Sequence, residues 1–339
     1  MRAVYVTRFG GPEVLEVREA PDPAPKAGEV RIRTRATGLN FAELMGRLGF
    51  NPDAPKPPCV LGYEVAGIVD ATGDGVSHVS PGDRVFALAN FGGHADVVCA
   101  PAAATVRIPD GASLEEAAAM PVTYASAWLV LHRVASVRPG ERVLVHMAAG
   151  GLGIALLQLL RMIPGAVVFG TASSSKHDVL RQEGCAHPID YRTRDYATEI
   201  RAALGGGGLD VVIDPLGGPD WRKGYGLLRE GGRLVACGFA NASNGERRSV
   251  LRAMTQFMRT PRFNPFELLR DNRTVAGFHL ARLWDRPEIL GEALGAIAAL
   301  WGEGKIKPRI DSTYPFERAA DAHRRMHERR NVGKVVLVP

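Results

Sequence analysis

The stretch Arg142–Arg161, RVLVHMAAGGLGIALLQLLR, decides how this chain folds. Val143-Leu144-Val145 is a short β-rich apolar run. Ala148-Ala149-Gly150-Gly151-Leu152-Gly153 is a turn of small residues, and the apolar run after it meets no breaker until Pro164. Strand, tight glycine turn and helix are the opening of a βαβ unit, in which N–H groups at the helix start can meet a pyrophosphate. Against the pattern G-x-G-x-x-G the three positions are Ala148, Gly150 and Gly153, so the first glycine is absent. Gly150 would let backbone approach phosphates, and Gly153 would let the helix pack close to the strand. Six such residues also suit a plain turn before a buried helix, so the decision rests on the remainder of the chain.

Downstream of the turn, strand and helix alternate. Strands are predicted at 142–146, 166–171, near 187–190, at 209–214 and at 232–238. Helices are predicted at 151–162, 176–183, 195–203 and 219–229. This alternation implies a parallel, doubly wound sheet with helices on both faces. Gly205–Gly208 reads as a flexible turn.

Upstream the texture differs. Residues 1–110 hold short β-rich runs, Val4–Thr7, Leu15–Val17, Val30–Thr37, Val65–Asp70, Arg84–Leu88 and Asp96–Ala100. Turn signals such as Gly10-Gly11-Pro12 and Ser80-Pro81-Gly82-Asp83 separate them, which suggests a β-barrel or sandwich. Asn40–Leu48 is the one short helix expected there. Ser113 with Glu116 forms a capping box before an Ala-rich helix that Pro121 interrupts. After Arg273 a strand, a helix over Glu288–Trp301 and further β pieces read as a return to the first domain. The expected division is 1–122 with 273–339, and 123–272 between them, with 241–272 as a loop or helix over the cleft.

With 339 residues, two domains are the natural expectation. Composition is that of a globular protein, 46% hydrophobic and 23% charged, and no apolar run is long enough to span a bilayer. The N-terminus alternates like a β-hairpin and not like a signal peptide, so a cytoplasmic location is expected. Lys and Arg number 42 against 36 Asp and Glu, a small excess. Its densest cluster is Arg247, Arg248, Arg252, Arg259 and Arg262, which suits a solvated loop better than a nucleic-acid or acidic-lipid contact. The four cysteines, at 59, 99, 185 and 237, form no C-x-x-C pair and imply neither a disulfide framework nor a structural zinc.

A nucleotide reading makes a demand on the end of the second strand. A carboxylate there would bond the ribose 2′-hydroxyl of NAD, whereas cationic and hydroxyl groups would accept a 2′-phosphate. Val167–Thr171 runs into Ala172-Ser173-Ser174-Ser175-Lys176, with no acid at the turn. Ser173 and Lys176 therefore favour NADPH. They also suit a plain helix cap with a solvated lysine.

Gly38-Leu39-Asn40-Phe41, Gly62-Tyr63-Glu64-Val65-Ala66-Gly67 and Pro81-Gly82-Asp83-Arg84-Val85 precede the glycine turn, and Asn331-Val332-Gly333-Lys334-Val335-Val336-Leu337 closes the chain. With these motifs in this order, the chain resembles the medium-chain dehydrogenase/reductase superfamily over its whole length. Within it, the resemblance is to the zinc-independent quinone oxidoreductase branch, with Asn264–Leu269 and Gly277-Phe278 similar to its vesicle amine transport protein-like members. The resemblance implies a GroES-like β-barrel catalytic domain, a Rossmann domain binding NADPH, and a homodimer.

In zinc-bearing relatives a Cys and a His hold the metal where this chain has Asn40 and Tyr63, a carboxamide and a phenol unsuited to zinc. No metal is therefore expected. What remains is hydride transfer to a quinone or an α,β-unsaturated carbonyl, with hydrogen bonds to the oxyanion. Enoyl-thioester reduction, and an NADPH-binding protein of little turnover acting through lipid, RNA or protein contacts, are the alternatives.

By resemblance, Asn40 and Tyr63 are the catalytic candidates. Asn40, Phe50 and Thr123 match positions near the nicotinamide, and Gly150, Gly151, Leu152 and Gly153 meet the pyrophosphate. Ser173, Lys176 and Tyr191 face the 2′-phosphate. Gly238, Phe239, Phe278, His279, Leu280 and Lys334 match strand ends and the closing loop. Phe50 stands where many relatives carry Tyr and cannot donate a proton. Tyr63, Tyr124, the cofactor ribose or water would have to supply it.

Overall fold

A computed structural model describes residues 1–243 and 245–339. The chain forms two compact units. One comprises Met1–Ala125, a short piece ending at Arg248, and Leu280–Pro339; the other comprises Ser126–Ser243 and Ser249–His279.

In the first unit, β1 (Arg2–Val6) pairs antiparallel with β2 (Leu15–Glu19) as the predicted hairpin, and β4 (Cys59–Val60) completes a three-stranded sheet. The larger sheet centres on β3 (Glu29–Leu39). It is joined on one side by β5 (Glu64–Thr72), β6 (Arg84–Leu88) and β8 (Thr105–Arg107), with β7 (Val97–Pro101) also pairing β3. On the other side β16 (Lys334–Val338) pairs antiparallel with β3, and β15 (Ile310–Pro315) lies beyond it. The chain's last strand thus pairs with β3 of the first domain, as the sequence implied. Alternation in β3 explains its half-and-half burial: Val30, Ile32, Thr34 and Ala36 point inward, while Arg33 and Arg35 are exposed.

The second unit is a parallel six-stranded sheet. Its order is β11 (His187–Asp190), β10 (Val167–Ala172), β9 (Arg142–Val145), β12 (Leu209–Asp214), β13 (Leu228–Ala236) and β14 (Thr274–Gly277). Strand β12, LDVVID, is buried at every position, the signature of a strand covered on both faces. The helix Gly151–Leu160 buries Ile154 through Leu160 and ends four residues before Pro164.

Two boundaries differ from the sequence reading. β14 pairs with β13 in register Ala236↔Gly277, so residues 273–279 belong to the nucleotide-type unit and not to the first. A four-residue strand looks the same in either sheet until its partner is known. Thr123 conversely falls in the first unit, as does Leu280.

The basic segment is not a loop. Val250–Met258 is a helix capped by Ser249, and Pro265–Asp271 is a second one capped by Asn264. The first of these turns its polar side inward. Arg252 Nε donates to the Asn241 carbonyl, and Gln256 lies beside Gly218, while Leu251, Met254, Phe257 and Met258 are exposed. Among the described residues, no helix is long and apolar enough to cross a membrane.

Candidate functional site

The glycine turn lies where β9 meets the helix. Gly150 is its N-cap, and no side chain caps the first turn, so the helix start presents bare N–H groups. A Cβ on Gly153 would fall 2.4 Å from the Ala148 carbonyl oxygen and 2.5 Å from that of Met147. Only glycine fits there, because the helix rests directly on the turn's backbone. Gly150 is less confined: its Cβ would meet only the Met147 oxygen, at 3.3 Å.

Ala148 has a partner that accounts for it. A Cβ on Gly170 of β10 would lie 3.0 Å from the Ala148 methyl. The glycine missing from the turn is therefore matched by one on the neighbouring strand. Thr171 fixes the turn further, its Oγ1 accepting from Met147 N–H at 3.3 Å and lying 3.0 Å from His146 Nδ1.

The parallel sheet brings the other expected cofactor residues to this same end. Ala172 lies across from Asp190, so Ser173–Lys176 and Tyr191 leave adjacent strands side by side. Asp190, at the end of the neighbouring strand, is a carboxylate that the sequence reading of the Ala172–Lys176 turn did not include. Backbone N–H of Arg192 holds it below the usual carboxylate range, with Ser174 and Thr193 assisting. Farther along, Gly238 packs so closely on Pro215 that a Cβ would lie 2.8 Å from its carbonyl oxygen, and the Phe239 ring fills the space above Gly217. Phe278 N–H donates to the Ala236 carbonyl, placing Phe278 and His279 just past the end of β14.

The first unit holds a closed polar cluster built on Asn40. This residue caps the Phe41–Leu48 helix. Its Nδ2 donates to Glu64 Oε1 at 2.8 Å and to Glu43 Oε1 at 3.2 Å, and its Oδ1 accepts from Lys334 Nζ. Lys334 also contacts Glu64 Oε1, and Glu64 Oε2 accepts from Val122 N–H at 2.7 Å. Gly38 makes room: a Cβ there would fall 2.4 Å from Glu64 Oε1 and 2.5 Å from Lys334 Cε. Lys334, expected in a closing loop near the cofactor, is thus a buried strand residue that ties β16 to β5. The carboxamide of Asn40 is saturated by these partners.

Tyr63 is buried, with its ring centroid 4.9 Å from that of Phe91 and its hydroxyl accepting from Asn51 Nδ2 at 2.8 Å. Burial first, then the nearby Glu43, push its phenol well above the ordinary value. Tyr124 donates to the Lys307 carbonyl, and Thr123 donates to the Ala119 carbonyl one helical turn back. Phe50 lies under the Arg248 guanidinium, 5.7 Å from its ring centroid. Sequence reading missed Glu43, Glu64 and His94 as members of this cluster, although Asn40-x-x-Glu43 is itself a capping-box signal.

The cluster does not suit zinc. Its central cation is the Lys334 ammonium, already placed between Asn40 and Glu64, and no group of three or more His, Cys, Asp or Glu suited to a metal occurs among the described residues. Charge and donor set both oppose a metal here.

Comparison with known proteins agrees with this architecture. Residues 26–110 match the alcohol dehydrogenase GroES-like domain, and residues 184–337 match the zinc-binding dehydrogenase family. The synaptic vesicle membrane protein VAT-1 homolog of Rattus norvegicus is 46% identical over 341 residues, covering 100% of this chain and 84% of that protein. The chain belongs to the medium-chain dehydrogenase/reductase superfamily, in its VAT-1-like branch. Among solved structures, Escherichia coli quinone oxidoreductase complexed with NADPH superposes with a TM-score of 0.88 at 28% identity over 100% of both chains. The CurK enoyl reductase gives 0.84 at 29% identity, over 99% of this chain and 98% of that one. The fold is therefore that of an oxidoreductase family whose members include quinone and enoyl reductases.

Proposed function

We propose that this protein is a zinc-independent, NADPH-dependent oxidoreductase that delivers hydride to quinones or other α,β-unsaturated carbonyl compounds. The observation that carries this reading is Lys334 seated between Asn40 and Glu64, at the place where zinc-bearing relatives assemble a metal site. With no metal to polarise an alcohol, a conjugated acceptor is the substrate class that hydride transfer can serve. The E. coli quinone oxidoreductase bound to NADPH supports the cofactor.

Gly150–Gly153 would hold the pyrophosphate on helix-start N–H groups, and Ser173, Lys176 and Tyr191 would receive the 2′-phosphate. Bound NADPH supplies the hydride. Tyr63, kept protonated by its burial, donates a hydrogen bond to the oxyanion that develops on the acceptor. The test is steady-state NADPH oxidation with benzoquinone, naphthoquinone, 2-enals and crotonyl thioesters. Turnover with the first three is expected; tight NADPH binding without turnover on any of them would refute the enzyme reading. Preference for the thioester would favour enoyl reduction, the chemistry of the CurK relative.

A second reading concerns location. The VAT-1 relatives are named as vesicle membrane proteins, and the Val250–Met258 helix exposes its apolar side, with Leu251 77% and Phe257 75% accessible. Exposed Arg259 and Arg262 follow it in sequence. This pattern, apolar residues flanked by cations, suits contact with an anionic membrane surface and departs from the solvated loop expected from sequence. Co-sedimentation with phosphatidylglycerol vesicles, lost in Leu251→Ser/Phe257→Ser, tests it. Equal binding by both forms would exclude this helix.

A further inference from the structure

Glu43 is a buried carboxyl with no cation on it. It is closed to solvent at the third position of the Phe41–Leu48 helix. One oxygen accepts from Asn40 backbone N–H at 3.1 Å, the other from Asn40 Nδ2 at 3.2 Å. The single ammonium of the cluster, on Lys334, goes to Asn40 Oδ1 and Glu64 Oε1 instead. Glu64 also receives Asn40 Nδ2 and Val122 N–H. Two carboxyls therefore share one cation, and Glu64 holds it. A carboxylate left in the interior on neutral donors alone is strongly disfavoured against its protonated form.

A protonated carboxyl needs an acceptor, and one lies opposite. His94 Nε2 is 3.9 Å from Glu43 Oε1, buried, and without a partner of its own. The ring's hydrogen bond goes to the Gly38 backbone, which leaves Nε2 as the lone-pair nitrogen of a neutral imidazole. Burial holds that imidazole neutral, moving it down to about 4. Burial likewise raises Glu43 to about 8, against the opposing pull of Lys334 and Asn40. An O–H without an acceptor and a lone pair without a donor face each other across a gap that a small side-chain rotation closes.

We propose that Glu43 is a positioning residue that acts as an uncharged acid, donating its O–H to His94 Nε2, and that this keeps the Asn40 carboxamide and the Lys334 ammonium on Glu64. On ionisation Glu43 becomes a second anion on Asn40 and competes with Glu64 for Lys334. The other charged or titratable groups facing it are Glu64 and Tyr63 at the start of β5, Lys334 on β16 and His94, with His323 and Arg47 beyond His94. The effect on turnover rests on the hydride-transfer reading; the protonation state does not.

Two measurements on the full chain separate these. Infrared difference spectroscopy across a pH titration should show a protonated-carboxyl C=O band that disappears with a midpoint near pH 8 and is missing in Glu43→Gln. A spectrum with no protonated carboxyl at neutral pH, or a band that survives in Glu43→Gln, overturns the proposal. In turnover, kcat should fall through the same midpoint with KM less affected, and the alkaline limb should vanish in Glu43→Gln, whose amide mimics the neutral acid. An alkaline limb identical in both overturns the positioning role. If no acceptor is reduced at any pH, the enzyme reading falls, and the infrared titration still decides the state of Glu43.

Discussion

Lys334 and Glu64 form an ion pair closed to solvent on both sides, with side chains 4% and 0% accessible and 270 positions apart in the chain. It fastens the last strand to β5 beneath Asn40. Removing one member strands the other as a buried charge, which typically costs about 3–5 kcal/mol. Lys334→Met should therefore lower unfolding free energy by about that much in urea titrations. Lys334→Met/Glu64→Gln should recover part of it, since no uncompensated charge remains. A loss below about 1 kcal/mol for the single variant would be that of an exposed pair and would contradict this burial.

Gly153 and Gly150 should respond differently to alanine. The Gly153 Cβ would collide with two backbone carbonyls at 2.4–2.5 Å, so the helix must shift; overpacking of this kind costs about 1–3 kcal/mol. Gly150→Ala has only one neighbour, at 3.3 Å, and should fold nearly as well while binding NADPH more weakly. Thermal unfolding with and without NADPH distinguishes the two. Equal stability of both variants would mean that the helix does not rest on the turn.

Cofactor choice is read at Lys176, which follows Ser173 in the turn after β10. Lys176→Ala should weaken NADPH much more than NADH in fluorescence titrations, because only NADPH offers a phosphate to the ammonium. An equal loss for both would remove the lysine from the 2′-phosphate site.

Acid should destabilise the first unit through three imidazoles, His94 and His323 buried and His327 half-buried. Burial moves His94 and His327 down to about 4, and His323 well below its ordinary value, with neither ring nitrogen of His323 partnered. Arg47, fully buried, has its Nη2 2.5 Å from His327 Nε2 and opposes the protonation of His327 and His323, while Lys334 opposes that of His94. Each group has a folded-state pKa below its unfolded value, so the unfolded chain takes up more protons as pH falls. This stability is complete above about 6.5 and is lost as pH falls through that value toward 4. Urea midpoints measured across this window should decline, and His323→Leu should make the decline shallower. An unchanged slope would place the acid sensitivity elsewhere.

Much of this was legible in the sequence because it is local. The glycine turn, the alternating strands and helices after it, and the β-hairpin at the N-terminus all declare themselves within windows of a few residues. What escaped depends on distant partners. β14 is four residues long, and only its pairing with β13 assigns it to the parallel sheet. Ala148 departs from the glycine pattern, and the residue that makes room for its methyl, Gly170, sits on the next strand, outside the turn's own window. Asn40 with Glu43, Glu64, His94 and Lys334 come from four separate places in the chain, so beyond the Asn40–Glu43 capping pair no spacing could reveal that they meet. The helix Val250–Met258 misled for another reason: its polar side faces the protein, the reverse of the usual amphipathic rule.

Hydride transfer itself can be followed directly. NADPH deuterated at the transferring position of nicotinamide C4 should pass deuterium to the β-carbon of a 2-enal, detectable by mass spectrometry of the saturated product. Deuterium at the β-carbon from labelled NADPH, and at the α-carbon alone when only the solvent is labelled, is the expected result. Saturated product without the label, or no product from any conjugated acceptor, would contradict the assignment of this chain as an NADPH-dependent reductase.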